Sequence, residues 1–122
     1  KINRYTDHQK GVVLEKGYRF IVSDLITKPI DEFIRQFFAR HGYREGIHGL
    51  AIGLLQAFSE LILYLKLWQD GGFVSNSLDP NSVKQFVINK SHEYTWWEYQ
   101  AKIDEANIIG KLWYKLARKL GI

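Results

Sequence analysis

Apolar positions along the chain recur three and four residues apart, the period of an α-helix, and prolines and glycines divide the pattern into segments. A first helix is expected over residues 7–16, although Gly11 and the adjacent Val12 and Val13 lower its propensity. Tyr18, Ile21, Val22, Leu25 and Ile26 place a second over 18–27. Pro29 ends it, because the residue before a proline avoids the helical region. The same proline suits the first turn of a third helix over 29–41, with Asp31 and Glu32 near the positive end of the dipole. Ile30, Phe33, Ile34, Phe37 and Phe38 form its apolar stripe, Asp31, Glu32, Arg35, Gln36 and Arg40 its polar one, and Gly42 its stop.

Residues 47–68 are the most apolar part of the chain. Only His48, Gln56, Ser59, Glu60 and Lys66 are polar there, and no proline interrupts the run. A helix of this length measures roughly 33 Å, enough to cross a bilayer core. At about 100° per residue, however, the five polar positions fall within one arc of about 120°. A stripe of that kind suits a helix lying in the membrane plane or packed against protein better than one surrounded by lipid. Asp70-Gly71-Gly72 closes the segment, and a Ser/Asn/Asp-rich, loop-like stretch is expected over 70–94, with a short element near 83–89 capped by Asn81 or Ser82. Thr95 with Glu98 three residues on forms a capping-box pattern that starts a last helix over 95–120. Ile103, Ala106, Ile109, Trp113, Leu116 and Leu120 supply its apolar positions, and Lys102, Lys111, Lys115, Arg118 and Lys119 decorate the rest, weighted toward its C-terminal end. The expected fold is mainly α.

Charge and composition narrow the chemistry. Lys and Arg number 17 against 13 Asp and Glu, a balance of +4 that permits an acidic partner without demanding one. Cysteine is absent, which removes disulfides, thiolate metal sites and a cysteine nucleophile. No phosphate-binding glycine loop, His-Glu-x-x-His or Gly-x-Ser-x-Gly pattern occurs. His8, His41, His48 and His92 are scattered, and Asp31/Glu32 and Asp104/Glu105 read as solvated helix-surface charges. No catalytic or metal-ligating set is therefore expected in these residues. Methionine is absent as well and the chain begins at Lys1, without a visible leader, which suggests a processed product or part of something longer.

Residues 1–69 carry a resemblance. Asn3-Arg4-Tyr5-Thr6, Tyr18-Arg19-Phe20, Lys28-Pro29, Gly42-Tyr-Arg-Glu-Gly-Ile-His-Gly-Leu50, Ala57-Phe58 and Tyr64-Leu-Lys-Leu-Trp68 resemble the C-terminal region of bacterial family 2 glycosyltransferases of the lipopolysaccharide-core and cell-envelope type. Glu45 stands where that family tends to have Asp, and Gln69 where it has Glu; Ser59 and Glu60 replace an aromatic–apolar pair. The resemblance implies a catalytic domain upstream of Lys1. That domain would hold the nucleotide sugar and a divalent Mg or Mn ion on an Asp-x-Asp motif absent from this chain. It also implies transfer to a lipid or lipopolysaccharide acceptor at the cytoplasmic face of the bacterial inner membrane. Residues 1–69 would then be a membrane-associating helical region, 70–94 a linker and 95–122 a basic extension, none of it catalytic by itself.

Within that frame Arg4 is the candidate nearest the chemistry, able to pair bidentately with a phosphate of donor or acceptor, or else to form a salt bridge at the domain junction. Phe33, Phe37, Phe38 and the apolar face of 47–68 are candidates for the headgroup boundary. Arg35, Arg40, Arg44 and Lys66 are candidates for anionic lipid, and Trp68, Trp96, Trp97 and Trp113 for the interface. The competing reading makes these stripes the core of a bundle, with packing preferred for 29–41 and membrane contact for 47–68. A helical protein-interaction module or a nucleic-acid-binding one remains the alternative; nucleic acid is disfavoured because the positive charge is spread over several helices.

Overall fold

The computed structural model describes residues 2–75 and 77–121. Lys1, Asn76 and Ile122, which belong to the expected first region, linker and extension, lie outside the described residues. The described chain is built of helices: α1 (Ile2–Glu15), α2 (Asp24–Ile34) continuing into a π-helical turn (Arg35–Ala39), a 3-10 turn (Gly42–Glu45), α3 (Ile47–Asp70) and α4 (Pro80–Lys119). The fold is mainly α, as the periodicity predicts.

Several boundaries differ from the sequence expectation. The first helix begins at Ile2 rather than residue 7, because α1 is held by tertiary contacts with α3 that offset its weak propensity. Residues 18–27 do not form a helix of their own. Tyr18–Val22 turn the chain, and α2 opens at Asp24 with i→i−3 bonds such as Leu25 N–H to Val22 O (3.1 Å). Pro29 lies inside α2, close enough to its start that the helix passes through it without ending.

The expected loop over 70–94 shrinks to 71–79. Asp79 caps α4, its side chain accepting from the Asn81 N–H, and Pro80 takes the first helical position, where the lost N–H costs nothing. No glycine or proline follows until Gly110, so α4 runs unbroken for 40 residues, roughly 60 Å. The Thr95–Glu98 pair therefore caps nothing. Thr95 sits mid-helix and its hydroxyl donates back to Ser91 O (2.9 Å).

α1 and α2 both pack on α3, and α4 packs on the far flank of α2 without a close approach to α1 or α3. Leu63, Tyr64 and Leu67 of α3 form the centre, with Val13, Tyr18, Phe20 and Leu25 against them. Tyr18 meets Tyr64 edge-on at 5.6 Å. Antiparallel α2 continues down α3, with Phe33 over Gly53 and Gly42 against Gly49. The turn between them needs a glycine at 46, whose φ of +60° with ψ −127° is a conformation nearly restricted to glycine. α4 follows α2 in parallel, joined by Lys90–Asp31 (2.5 Å), Tyr94 edge-on to buried Phe38 (5.1 Å) and Arg44–Glu105 (3.0 Å).

Candidate membrane-binding surface

Most of the polar arc of α3 faces protein, although His48 and Ile52, near its start and in the same arc, are exposed. Gly49, Gly53, Ser59, Leu63, Tyr64 and Leu67 are buried, and Gln56, Glu60 and Lys66 are half-buried among them. Lys66 shows how the chain accommodates such groups. Its ammonium donates to Asn3 O, to the Thr6 hydroxyl and to Asp7 Oδ1, each at 2.7 Å, and so ties α1 to α3. Thr6 is fully buried and its hydroxyl donates in turn to Ile2 O (2.9 Å). The Lys66 hydrogen bond holds the Asp7 carboxyl below the usual range. Glu60 goes the other way: burial, with Glu32 nearby, raises its pKa against the pull of Arg35 and Lys28. Burial also pushes Tyr64 up to about 12.

The opposite half of α3 faces outward. Ile47 (84% exposed), Leu50, Leu54 (55%), Leu55 (56%), Phe58 (51%) and Leu65 are all exposed. At about 100° per residue they share one half of the helix with Ala51, Leu61 and Ile62, and no polar side chain lies in that half between Ile47 and Trp68. A contiguous apolar face of this extent marks an interaction surface rather than ordinary exposure. By length and composition α3 also suffices to cross a bilayer core.

The structure redistributes the other candidates. Phe38 is buried, and Phe33 and Phe37, both half-buried, stack at 5.2 Å within the packing of α2 and the π turn. Lys66 is spent on α1. Arg35 is paired with Glu32 and Arg44 with Glu105, while Arg40 is exposed without an ion pair among the described residues. Trp68 is half-buried, edge-on to Phe73 (4.8 Å) with its N–H on Val74 O (3.0 Å). Trp96 and Trp97 pack edge-on at 5.0 Å, with Trp96 exposed, and Trp113 is exposed on α4. Arg4 is exposed on α1 and forms no ion pair among the described residues.

An apolar groove of about 490 Å³ runs between the π turn and α4, lined chiefly by Phe37, Phe38, Tyr43, Tyr94, Ala101 and Ile109. Among the described residues no three His, Asp or Glu side chains gather as a metal site. Sequence reasoning named the apolar face of 47–68 only collectively. Leu50, Leu54, Leu55, Phe58 and Leu65 were legible as the complement of the polar arc. Comparison with known protein families, with curated proteins and with solved structures returns no match to this chain.

Proposed function

We propose that this chain is a membrane-docking helical region that rests peripherally on a bilayer through the outward half of α3. In this proposal it orients a family 2 glycosyltransferase domain carried upstream, which passes sugar from a nucleotide donor to a cell-envelope acceptor at the cytoplasmic face of the bacterial inner membrane. The observation that carries the docking role is the inverted helix: Gln56, Ser59, Glu60 and Lys66 of the polar arc against protein, the apolar arc against solvent. In water that face exposes several large side chains, each worth about 1.5–3 kcal/mol on burial; a hydrocarbon boundary buries them together. The catalytic parent rests on the sequence resemblance alone, with Arg4 on the exposed side of α1 available to a phosphate held by the neighbouring domain.

Flotation with phosphatidylcholine vesicles tests the docking role. The chain is expected to float, and a Leu54→Glu/Phe58→Glu variant with unchanged circular dichroism is expected to stay in the dense fraction. A wild-type chain that stays in the dense fraction, or a variant that floats as well as wild type, overturns it. The parent is tested separately, by the coding sequence upstream of Lys1. An Asp-x-Asp-bearing α/β domain supports it, and a start codon immediately upstream rules it out. In the full-length parent, Arg4→Ala is expected to reduce sugar transfer without loss of folded protein; unchanged turnover removes Arg4 from the proposal.

A further inference from the structure

The C-terminal third of α4 leaves the body of the molecule. Its last polar contacts with the rest of the chain are those of Glu105 with Tyr43 (3.4 Å) and Arg44. Ile109 marks the end of the apolar groove. Beyond it Leu112 (61% exposed), Trp113 (68%), Tyr114, Leu116 and Leu120 are exposed, on a segment that no other element covers among the described residues. No acidic residue follows Glu105, while Lys111, Lys115, Arg118 and Lys119 crowd the last turns. None of the four is in an ion pair among the described residues.

Their arrangement is ordered. At about 100° per residue Ile109, Leu112, Trp113, Leu116 and Leu120 fall in one arc of about 100°, and the four cations in the adjoining arc of similar width. The helix dipole accounts for cations in the final turn but fades beyond it, and Lys111 and Lys115 lie further in. Cations flush beside an apolar stripe, with a tryptophan at its edge, match the boundary between phosphate headgroups and acyl chains.

We infer that residues 107–120, the end of α4 with its C-cap Leu120, are an arm that recognises anionic phospholipid headgroups and gives the chain a charge selectivity that α3 lacks. This rests on the docking role proposed for α3. The outward half of α3 carries no charge, so it distinguishes headgroups poorly. Of the other cations, Lys66, Arg35, Arg44 and Lys90 are paired with Asp7, Glu32, Glu105 and Asp31, and exposed Arg4, Arg19 and Arg40, which form no ion pair among the described residues, lie singly on α1, on the turn before α2 and after the π turn. Charge complementarity therefore belongs to the arm. A bilayer fits better than nucleic acid because the cations share their surface with four aliphatic side chains, which a sugar–phosphate backbone leaves in water.

The experiment compares vesicles of phosphatidylcholine alone with vesicles containing phosphatidylglycerol. Wild type is expected to bind the mixed vesicles at least ~100-fold more tightly at low salt, given the contribution typical of each basic residue near an anionic surface. The gain is expected to collapse at about 0.5 M salt. A Lys111→Gln/Lys115→Gln/Arg118→Gln/Lys119→Gln variant is expected to bind both compositions as wild type binds phosphatidylcholine. Equal wild-type binding to the two compositions, or a variant that keeps the preference, overturns the arm and leaves α3 standing. Binding to neither overturns both. Salt-sensitive binding to duplex DNA with no preference among vesicles also overturns it.

Discussion

Gly49 is where one missing Cβ decides how two elements meet. A Cβ there would sit 1.7 Å from the carbonyl oxygen of Gly42, which belongs to the backbone and cannot rotate away. Gly49→Ala must lift the start of α3 off the turn, and overpacking of this kind costs ~1–3 kcal/mol. Gly110 is the contrast: a Cβ there meets nothing within 4 Å, in the interior of an exposed helix. Gly110→Ala is expected to stabilise by ~0.5–1 kcal/mol. Urea unfolding followed by circular dichroism should move the two midpoints in opposite directions. The sequence shows both glycines equally, and only the close approach of Gly42 separates them. Glu60 gives a second residue-scale test. Because its pKa is raised in the folded state, the native chain holds its proton to higher pH than the unfolded chain does. Stability is therefore lost as pH rises through the interval above the ordinary carboxylate range. Glu60→Gln is expected to be more stable than wild type at pH 7, the advantage fading toward pH 4. Parallel unfolding midpoints across that range would contradict the assignment.

Among the elements, the contest is between local signals and what lies between them. Two N-terminal signals compete for the last helix, Asp79-Pro80 and Thr95-x-x-Glu98. The first wins because residues 81–94 contain no breaker, although their Ser and Asn content reads as loop. Lys90 and Tyr94 then fix that stretch to α2 by contacts that local pattern does not reveal. The end of 29–41 was legible from Gly42, but the π turn was not. It depends on the Arg40 N–H reaching Arg35 O (2.9 Å), a choice made by packing. α1 is tied to α3 by Lys66, beside the Lys10–Asp70 ion pair and the packing of Val13 on the core. Lys66→Met keeps much of the aliphatic stem and removes the ammonium that Asn3 O, Thr6 and Asp7 share. Losing a charged hydrogen-bonding group at a largely buried site costs ~1.5–3 kcal/mol. Hydrogen exchange should show amides of residues 2–15 losing protection while those of α2 and the centre of α3 retain it. Uniform loss across the chain would mean that α1 is not the separable unit described.

For the molecule as a whole, the open question is how a helix long enough to span sits on a bilayer. The wheel of 47–68 shows a polar arc, but a wheel is silent on what covers it. That α1 and α2 cover it is a tertiary fact, and it bears on depth. Threading α3 through the hydrocarbon would carry α1 and α2 with it, including exposed Arg4, Asp7, Glu15 and Arg35. Each charge placed near the bilayer centre costs at least ~2.5 kcal/mol. A helix lying flat takes only its apolar half into lipid and leaves its partners on the aqueous side. The two placements predict different depth profiles along one face. A flat α3 puts positions 47, 54, 58 and 65 at one shallow depth; a spanning α3 puts 58 deep and 47 and 65 near opposite surfaces. The chain has no cysteine, so single Ile47→Cys, Leu54→Cys, Phe58→Cys and Leu65→Cys variants each carry one spin label without a background mutation. Accessibility to oxygen and to a water-soluble nickel chelate on vesicles should give matching shallow depths at all four, and a Gln56→Cys label should remain in contact with protein. A maximum of depth at 58 with both ends at the surface would overturn the flat placement and require α1 and α2 to separate from α3 on binding.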